Sequence, residues 1–388
     1  MYKSLWNRDF SLLTLSNFLL CITYYSLIST LPIYLADILH ADKSAIGLVL
    51  AAYTIASVTV RPVSGFALDK FGKKMILIGA LILYSVIFIG YMFALSIALI
   101  TVLRFIQGLG WGISTISGST VAVDIIPSEK RGEGIGYYSL STTLGMSVGP
   151  VIGLFLVHHG NYFAMFLGML VFSIIAIVCA GIVKVPTNIP HVANMGFNLQ
   201  ALFEPKAVMP SINLMVVMTA YGGLLSFVAL YGQEMGVHDT SLFFLVFAFG
   251  IGISRIAVGR TFDKKGPALI LTVCLLLDII GFTVLALLKN PVGYFASAIL
   301  IGFGNGVVFP VFQTMVNNLA EPAHRGAANS TLYTALDLGM GAGMILIGFI
   351  SEHTSLSAAF ICCAVLCVIG LAFFRFRVLS DYLQKIDS

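Results

Sequence analysis

Runs of about 20 apolar residues recur along the whole chain, and no other feature constrains its fold as strongly. One run extends from Ala268 to Leu288, and Asp278 is its only charged residue. An α-helix of about 20 residues is long enough to cross the hydrocarbon core of a bilayer. A membrane β-barrel would need alternating segments of about ten residues, and the sequence contains none. The chain is therefore predicted to be an all-α membrane protein.

Composition supports this class and argues against several others. Charged residues make up 10% of the chain and hydrophobic residues 59%, whereas a soluble domain has about 25% charged residues. The six cysteines all lie in apolar runs, and none has metal-ligand spacing with histidine. The histidines form no cluster, and the chain has no nucleophile or nucleotide-binding motif, so we expect no enzyme, no metal and no cofactor.

The apolar runs predict twelve spans. Their approximate ranges are 10–36, 45–66, 75–95, 98–122, 134–157, 162–183, 208–232, 241–261, 267–288, 292–317, 328–350 and 356–375. An even number places both termini on one side of the membrane. If that side is the cytoplasm, only Lys43, Lys289 and Arg104 of the 21 Lys and Arg residues lie away from the cytoplasmic face. The net charge of +4 then reflects membrane orientation and does not indicate a nucleic-acid partner.

One short motif occurs twice, half the chain apart. Residues 61–72 and 255–266 both read R-x3-G-x3-D-K-x-G. The longest connection between spans contains Pro186, Pro190 and Pro205 and separates the two copies. We therefore predict an N-terminal six-helix half (1–184), a cytoplasmic linker (185–207) and a C-terminal six-helix half (208–388). Parallel repeats of this kind build transporters in which two pseudo-symmetric halves rock around a central site.

Three motifs together resemble the major facilitator superfamily over the whole chain. The loop signature is carried by Gly65, Asp69, Lys70, Gly72, Lys73 and Lys74. The fourth-span signature is carried by Arg104, Gln107, Gly108 and Gly110. The fifth-span signature, typical of exporters that exchange substrate for protons, is carried by Gly145, Gly149, Pro150 and Gly153. The resemblance implies the major facilitator fold, alternating access, a bacterial inner membrane with both termini cytoplasmic, and a monomer in the lipid bilayer.

The resemblance also implies a cytoplasmic gate built from the repeated motif. A carboxylate facing the N-terminus of another helix is worth about 0.3–1 kcal/mol when exposed. Asp69 is expected to face the start of span 11 in this way, and the second copy to make the mirror contact with span 5. The gate residues predicted are Gly65, Asp69, Lys70, Gly72, Asp124, Glu129, Arg131, Gly259, Asp263 and Arg325. The alternative is that the lysines of the loop only anchor the chain by the positive-inside rule.

Three charged residues lie deep in predicted spans, and each costs about 2.5–3.5 kcal/mol at the centre of a helix. Arg104 belongs to a signature that is implicated in proton coupling in the family. Asp337 lies in the middle of span 11, where desolvation favours a protonated carboxyl, and it is our first choice as proton carrier. Asp278 lies on span 9, which the family fold places at the periphery, and a structural or partly hydrated role is favoured for it.

Aromatic and amide side chains of the cavity-lining spans suggest an amphipathic substrate. The cavity residues predicted are Tyr24, Tyr25, Gln107, Trp111, Tyr221, Asn305, Phe309 and Gln313, with Tyr53 beside them. The leading interpretation is a proton-coupled exporter of drug-like or amphipathic small molecules. An uptake or sugar and metabolite efflux transporter on the same fold remains an alternative, as do a lipid scramblase and a non-transporting receptor. For the fifth-span glycines, helix packing alone is the other interpretation.

Overall fold

A computed structural model describes residues 5–127, 130–159, 161–185, 204–237, 239–321 and 325–387. Side chains at 62, 65–66, 69–70, 131–133, 255–265, 325–326 and 386–387 lie outside this description. The helices are α1 (Arg8–Asp37), α2 (Lys43–Phe71), α3 (Lys73–Phe93), α4 (Ile97–Ile125), α5 (Arg131–His159), α6 (Tyr162–Ile182), α7 (Val208–Glu234), α8 (Ser241–Leu287), α9 (Pro291–Leu319), α10 (Arg325–His353), α11 (Leu356–Phe373) and α12 (Leu379–Asp387). A 3₁₀ turn (Pro205–Ala207) precedes α7, and a π-helical turn (Phe374–Val378) joins α11 to α12.

The helices follow the apolar runs, and the described part of the chain has 11 that are long and apolar enough to span a bilayer. The predicted spans 8 and 9 are joined differently from the expected loop. They form the two parts of α8, which is interrupted at Gly266, where φ is 67°. Positive φ is open to glycine because it has no Cβ, and Pro267 then starts the second part of the helix.

Short polar caps begin at least six of the described helices, including α1 with Asn7 and α2 with Asp42. Ser96, Asn161, Asn290 and Ser355 each accept a hydrogen bond from the backbone N–H three residues later, at the starts of α4, α6, α9 and α11. Such a cap satisfies one of the N–H groups that a helix start leaves without a partner. These caps explain why the connections before these helices can be very short.

Many large apolar side chains of the described residues point outward. Phe93, Val292 and Phe376 are 72%, 77% and 80% exposed. A water-soluble protein does not present large apolar surfaces of this kind, whereas a bilayer solvates them. The six cysteines are free thiols, and all except half-buried Cys362 are buried. The chain is therefore an integral membrane protein.

The chain divides into two compact units. The first contains the described residues of 1–34 and 52–197, and the second contains those of 35–51 and 198–388. Helix α2 therefore begins in the second unit and ends in the first. At its start, the Lys43 N–H donates to Glu352 Oε2 at 2.7 Å, and Lys43 Nζ lies 2.6 Å from Glu234 Oε1. The boundaries predicted from the repeat (1–184, 185–207 and 208–388) remain a prediction.

Glycines bring helices together in the same pattern in each unit. In the first unit, a Cβ at Gly108 or Gly112 of α4 would collide with the α2 backbone at Tyr53 or Ser57. In the second unit, a Cβ at Gly302 of α9 would likewise collide with the α8 backbone at Phe247. Small residues permit close approach of helix backbones in membranes. The sequence repeat thus has a counterpart in local helix packing.

Candidate substrate and proton sites

An aromatic cluster occupies the first unit, where α1, α2 and α4 meet. The Tyr24 ring stacks on Trp111 with centroids 4.3 Å apart and on Tyr53 with centroids 4.9 Å apart. Tyr25 meets Tyr24 edge-on at 4.7 Å. These residues are buried, and each ring contributes a large apolar face. The structure therefore brings together three of the predicted cavity residues and Tyr53.

Arg104 lies beside this cluster and is 0% exposed. Its guanidinium carbon is 4.4 Å from the Tyr53 ring centroid, a cation–π geometry. Its Nη1 donates to Gln107 Oε1 at 3.4 Å, and Gln107 also accepts from the Tyr91 hydroxyl at 2.9 Å. Arg104 Nε and Nη2 have no hydrogen-bond partner among the described residues. The site thus holds a buried cation with two uncommitted donor nitrogens.

Asp278 lies in the second unit and is also 0% exposed. Neither carboxyl oxygen has a hydrogen-bond partner within the part of the chain that the structure describes. Gly304 of α9 lies against the Asp278 carboxyl group. The Tyr221 hydroxyl likewise has no hydrogen-bond partner among described residues. An ionised carboxylate is costly to bury without a hydrogen bond or a counter-charge.

Asp278 is fully enclosed by the described residues, and the structural or partly hydrated role predicted for it stays a prediction. The physical reason for this enclosure is Gly304 of α9, where a Cβ would collide with the Asp278 carboxyl. The absence of that Cβ lets α9 close over the acid. Asp337 of α10, favoured from the sequence as proton carrier, is 9% exposed and so has slightly more access to solvent or lipid.

The other predicted cavity residues lie in the second unit, and three of them follow one another at four-residue spacing along one face of α9. Phe309 of α9 packs against Tyr333 of α10 with ring centroids 5.4 Å apart. Gln313 Nε2 donates to Asn329 Oδ1 at 3.2 Å. Asn305 is half-buried on α9. Tyr221 of α7 stacks on Phe247 of α8 with ring centroids 6.0 Å apart.

The fifth-span glycines of α5 face α1. A Cβ at Gly149 would lie 2.9 Å from the Ile22 carbonyl oxygen, and Ser26 Oγ donates to the Gly149 carbonyl at 2.6 Å. Cβ atoms at Gly145 and Gly153 would crowd Cys21 and Ser26. Helix α5 continues through Pro150. In the second unit, Gly339 and Gly343 of α10 pack in the same manner against α7.

The structure describes only part of the predicted cytoplasmic gate. Glu129 lies outside the described residues, as do the side chains of Asp69, Lys70, Arg131, Asp263 and Arg325, and no contact is described for Gly65 or Gly259. Gly72 is described, and its φ of 89° favours glycine between α2 and α3. Asp124 pairs with Lys73, whose Nζ lies 2.7 Å from Asp124 Oδ2. Lys73 was expected only to orient the chain, and its pairing with Asp124 is a finding of the structure.

This ion pair joins two charges that are each unfavourably placed on their own helices. Lys73 begins α3, at its positive end, and Asp124 lies in the last turn of α4, at its negative end. Their side chains are 20% and 10% exposed. Asp124→Asn is expected to lower thermal stability by about 1 kcal/mol, because Lys73 then faces the helix dipole without a counter-ion. Lys73→Gln in the same protein should restore part of that loss, measured as a double-mutant cycle on purified protein; additive losses would contradict the pairing.

Tyr84 and Tyr91 complete the surroundings of Arg104 and were missed in the sequence. Tyr84, Phe88 and Tyr91 lie on one buried face of α3, and the Tyr84 hydroxyl hydrogen-bonds Thr23 at 3.1 Å. Their spacing of four and three residues is the feature of the sequence that could have placed them on one helix face. It indicates a helix face but not that an arginine on the next helix lies beside it.

Comparisons with known proteins agree with this architecture. The sequence pattern of the family described as Major Facilitator Superfamily matches residues 13–319 and 279–385. The Staphylopine export protein of Staphylococcus aureus is 24% identical over 345 residues, which cover 85% of this chain and 86% of that protein. In fold, a bacterial homologue of the human lysosomal transporter Spinster, inward-facing and occupied, has a TM-score of 0.78 at 16% identity, with 97% of each chain covered. The nucleoside transporter NupG has a TM-score of 0.73 at 16% identity, with 95% of this chain and 99% of that chain covered.

Proposed function

Because the chain belongs to the Major Facilitator Superfamily, whose members bind small molecules within the bilayer, we propose that it is a proton-coupled exporter of amphipathic small molecules. It works by alternating access between two six-helix halves. The membrane is a bacterial inner membrane, with both termini in the cytoplasm, and the transporter is a monomer.

The observation that carries proton coupling is the buried acid Asp278 without a hydrogen-bond partner among described residues. A carboxyl in these surroundings is stable when it holds a proton, and it needs water or a counter-charge to release one. A conformational change that hydrates the site would therefore release the proton. Asp337 provides a second carboxyl in the same unit, and Arg104 is the basic group that the family signature associates with coupling.

Export is supported by two observations. The chain carries the fifth-span glycine–proline signature, and a relative of similar length is an export protein. A cytoplasmic gate that includes Asp69 and Asp263 of the repeated motif is part of the same proposal. Uptake, or efflux of sugars and metabolites, on the same fold is the alternative within transport. Neither a lipid scramblase nor a non-transporting receptor would account for the buried charged residues, because neither activity requires proton coupling.

A reconstituted transport assay tests this proposal. Purified protein in liposomes with an imposed pH gradient is offered a panel of amphipathic compounds. An exchanger that moves one proton per substrate accumulates substrate about tenfold for each pH unit, because one unit is worth about 1.36 kcal/mol per proton. We expect accumulation that disappears when an ionophore collapses the gradient. Asp337→Asn is expected to abolish accumulation and to retain substrate binding.

The outcomes separate the parts of the proposal. Flux in the wild type that ignores the gradient would defeat proton coupling and leave a facilitator. Accumulation in the opposite sense would defeat export. Full gradient-driven accumulation in Asp337→Asn would show that Asp337 is not the proton carrier. Asp278 would then be the remaining candidate.

A further inference from the structure

We propose that Arg104 binds the carboxylate of the substrate, so that the substrates of this transporter are amphipathic organic anions. This inference rests on the proposed function for the transport step and adds the chemical class of the cargo. The Arg104 guanidinium is buried, and its Nε and Nη2 have no hydrogen-bond partner among described residues.

The buried charge of Arg104 carries a desolvation cost. Removing an ion from water costs several kcal/mol in a real protein. In the first unit, Arg104 Nη1 donates a long hydrogen bond to Gln107 Oε1, and the guanidinium lies over the face of the Tyr53 ring. A desolvated cation–π contact returns about 2 kcal/mol, which is less than the cost. No described carboxylate forms an ion pair with Arg104.

The two uncommitted donors of Arg104 are neighbours on the guanidinium group. Nε and Nη2 form one edge of the planar guanidinium, and Nη1 at the other edge is occupied by Gln107. Two parallel N–H groups on one edge match the two oxygens of a carboxylate, the fork geometry for which arginine is suited. The atoms that this structure leaves uncommitted are thus the pair that a carboxylate would bind.

The aromatic rings beside Arg104 suit the rest of such a substrate. Tyr24, Tyr53 and Trp111 form a stack beside the guanidinium, and such a stack accepts a flat or apolar group. Gln107 Nε2 also has no hydrogen-bond partner among described residues and adds one neutral donor. An acid linked to an aromatic or aliphatic body would satisfy both parts of the site.

The site is closed in the conformation described here. Arg104 is 0% exposed, Tyr53 is 1% exposed and Trp111 is 5% exposed. An anion therefore reaches the guanidinium after the rings move, in another conformation of the transport cycle. Ring movement makes Trp111 a reporter of binding, because its indole stacks directly on Tyr24.

The experiment uses this reporter. The chain has two tryptophans, so Trp6→Phe leaves Trp111 as the sole tryptophan in the purified protein. The probes are phenylbutyrate, its neutral amide and the cationic phenylbutylamine, which share one body and differ in charge. At neutral pH, phenylbutyrate is expected to change Trp111 fluorescence saturably and to bind about ten- to a hundredfold more tightly than the other two. A tryptophan-free variant, measured with the same probes, gives the background signal that comes from the probes and the detergent.

Three variants in the Trp6→Phe protein identify the binding group. Arg104→Gln should weaken phenylbutyrate to the affinity of the amide. Arg104→Lys keeps the charge without the fork and should still lose at least about tenfold. Lys184→Gln removes an exposed cation from the same unit and should bind as the parent does. Thermal unfolding of each variant shows whether it is folded.

The comparison of probes needs no variant and decides the inference even if Arg104 variants fail to fold. Equal or tighter binding of the amide or the amine would overturn it. Unchanged phenylbutyrate affinity in folded Arg104→Gln would also overturn it. Gradient-driven transport of neutral or cationic compounds without anion binding would defeat this inference and leave the proposed function intact. Anion binding without any flux would support this inference and defeat the proposed transport function.

Discussion

The Asp278→Asn variant is expected to bind substrate but to lose the accumulation of about tenfold per pH unit that one coupled proton provides. Asparagine has the shape of the neutral acid, so it mimics the protonated state that the buried site favours. Because asparagine cannot release a proton, the proton gradient no longer drives the transport cycle. The measurement is substrate accumulation in liposomes with and without the gradient, together with gradient-free exchange of labelled for unlabelled substrate.

Exchange is the internal control of this experiment, because it requires a folded and mobile protein but no net proton movement. We expect exchange to persist in Asp278→Asn. Accumulation at the wild-type level would show that Asp278 is a structural acid. Loss of exchange as well would indicate damage to the packing of α8 against α9, where Gly304 contacts the carboxyl.

The second large effect is expected at Gly149, where α5 meets α1. A Cβ would lie 2.9 Å from both the Ile22 carbonyl oxygen and the Tyr25 Cβ, closer than real Cβ atoms approach. Gly149→Val should therefore force the helices apart and lower stability by about 1–3 kcal/mol. The hydrogen bond from Ser26 to the Gly149 carbonyl would also be strained. Thermal unfolding of the purified protein measures the loss.

The same helix offers a matched control. A Cβ at Gly136 would meet no atom within 4 Å, and the residue is exposed. Gly136→Val should change stability by less than about 0.5 kcal/mol. Equal effects at the two positions would mean that valine perturbs α5 itself and that the contact with α1 is not the cause.

The helices could be read from the sequence because their signal is local. A bilayer needs about 20 apolar residues per span, and that length is visible in each run. The glycines of α5 could also be predicted to form one face, because their spacing of four residues follows from helix geometry. The joint at Gly266 differed from the expected loop because helical backbone continues on both sides of one residue with positive φ.

The candidate sites were only partly predictable because they depend on contacts between distant residues. Tyr24, Trp111 and Arg104 were singled out one by one, but their meeting with Tyr53 and Tyr91 follows from the packing of four helices. The burial of Asp278 depends on a missing Cβ on another helix. The ion pair of Lys73 with Asp124 likewise joins residues from different helices.

The membership of residues 35–51 in the second unit has a consequence for dividing the gene. A cut between the two repeats would give a C-terminal fragment without this segment. Such a fragment would leave the backbone of α10 at Met344 and Ile345 uncovered, where Gly47 packs, and would leave Glu352 without the Lys43 N–H. We therefore expect the C-terminal fragment to need the start of α2, which a co-expressed N-terminal fragment would supply in trans.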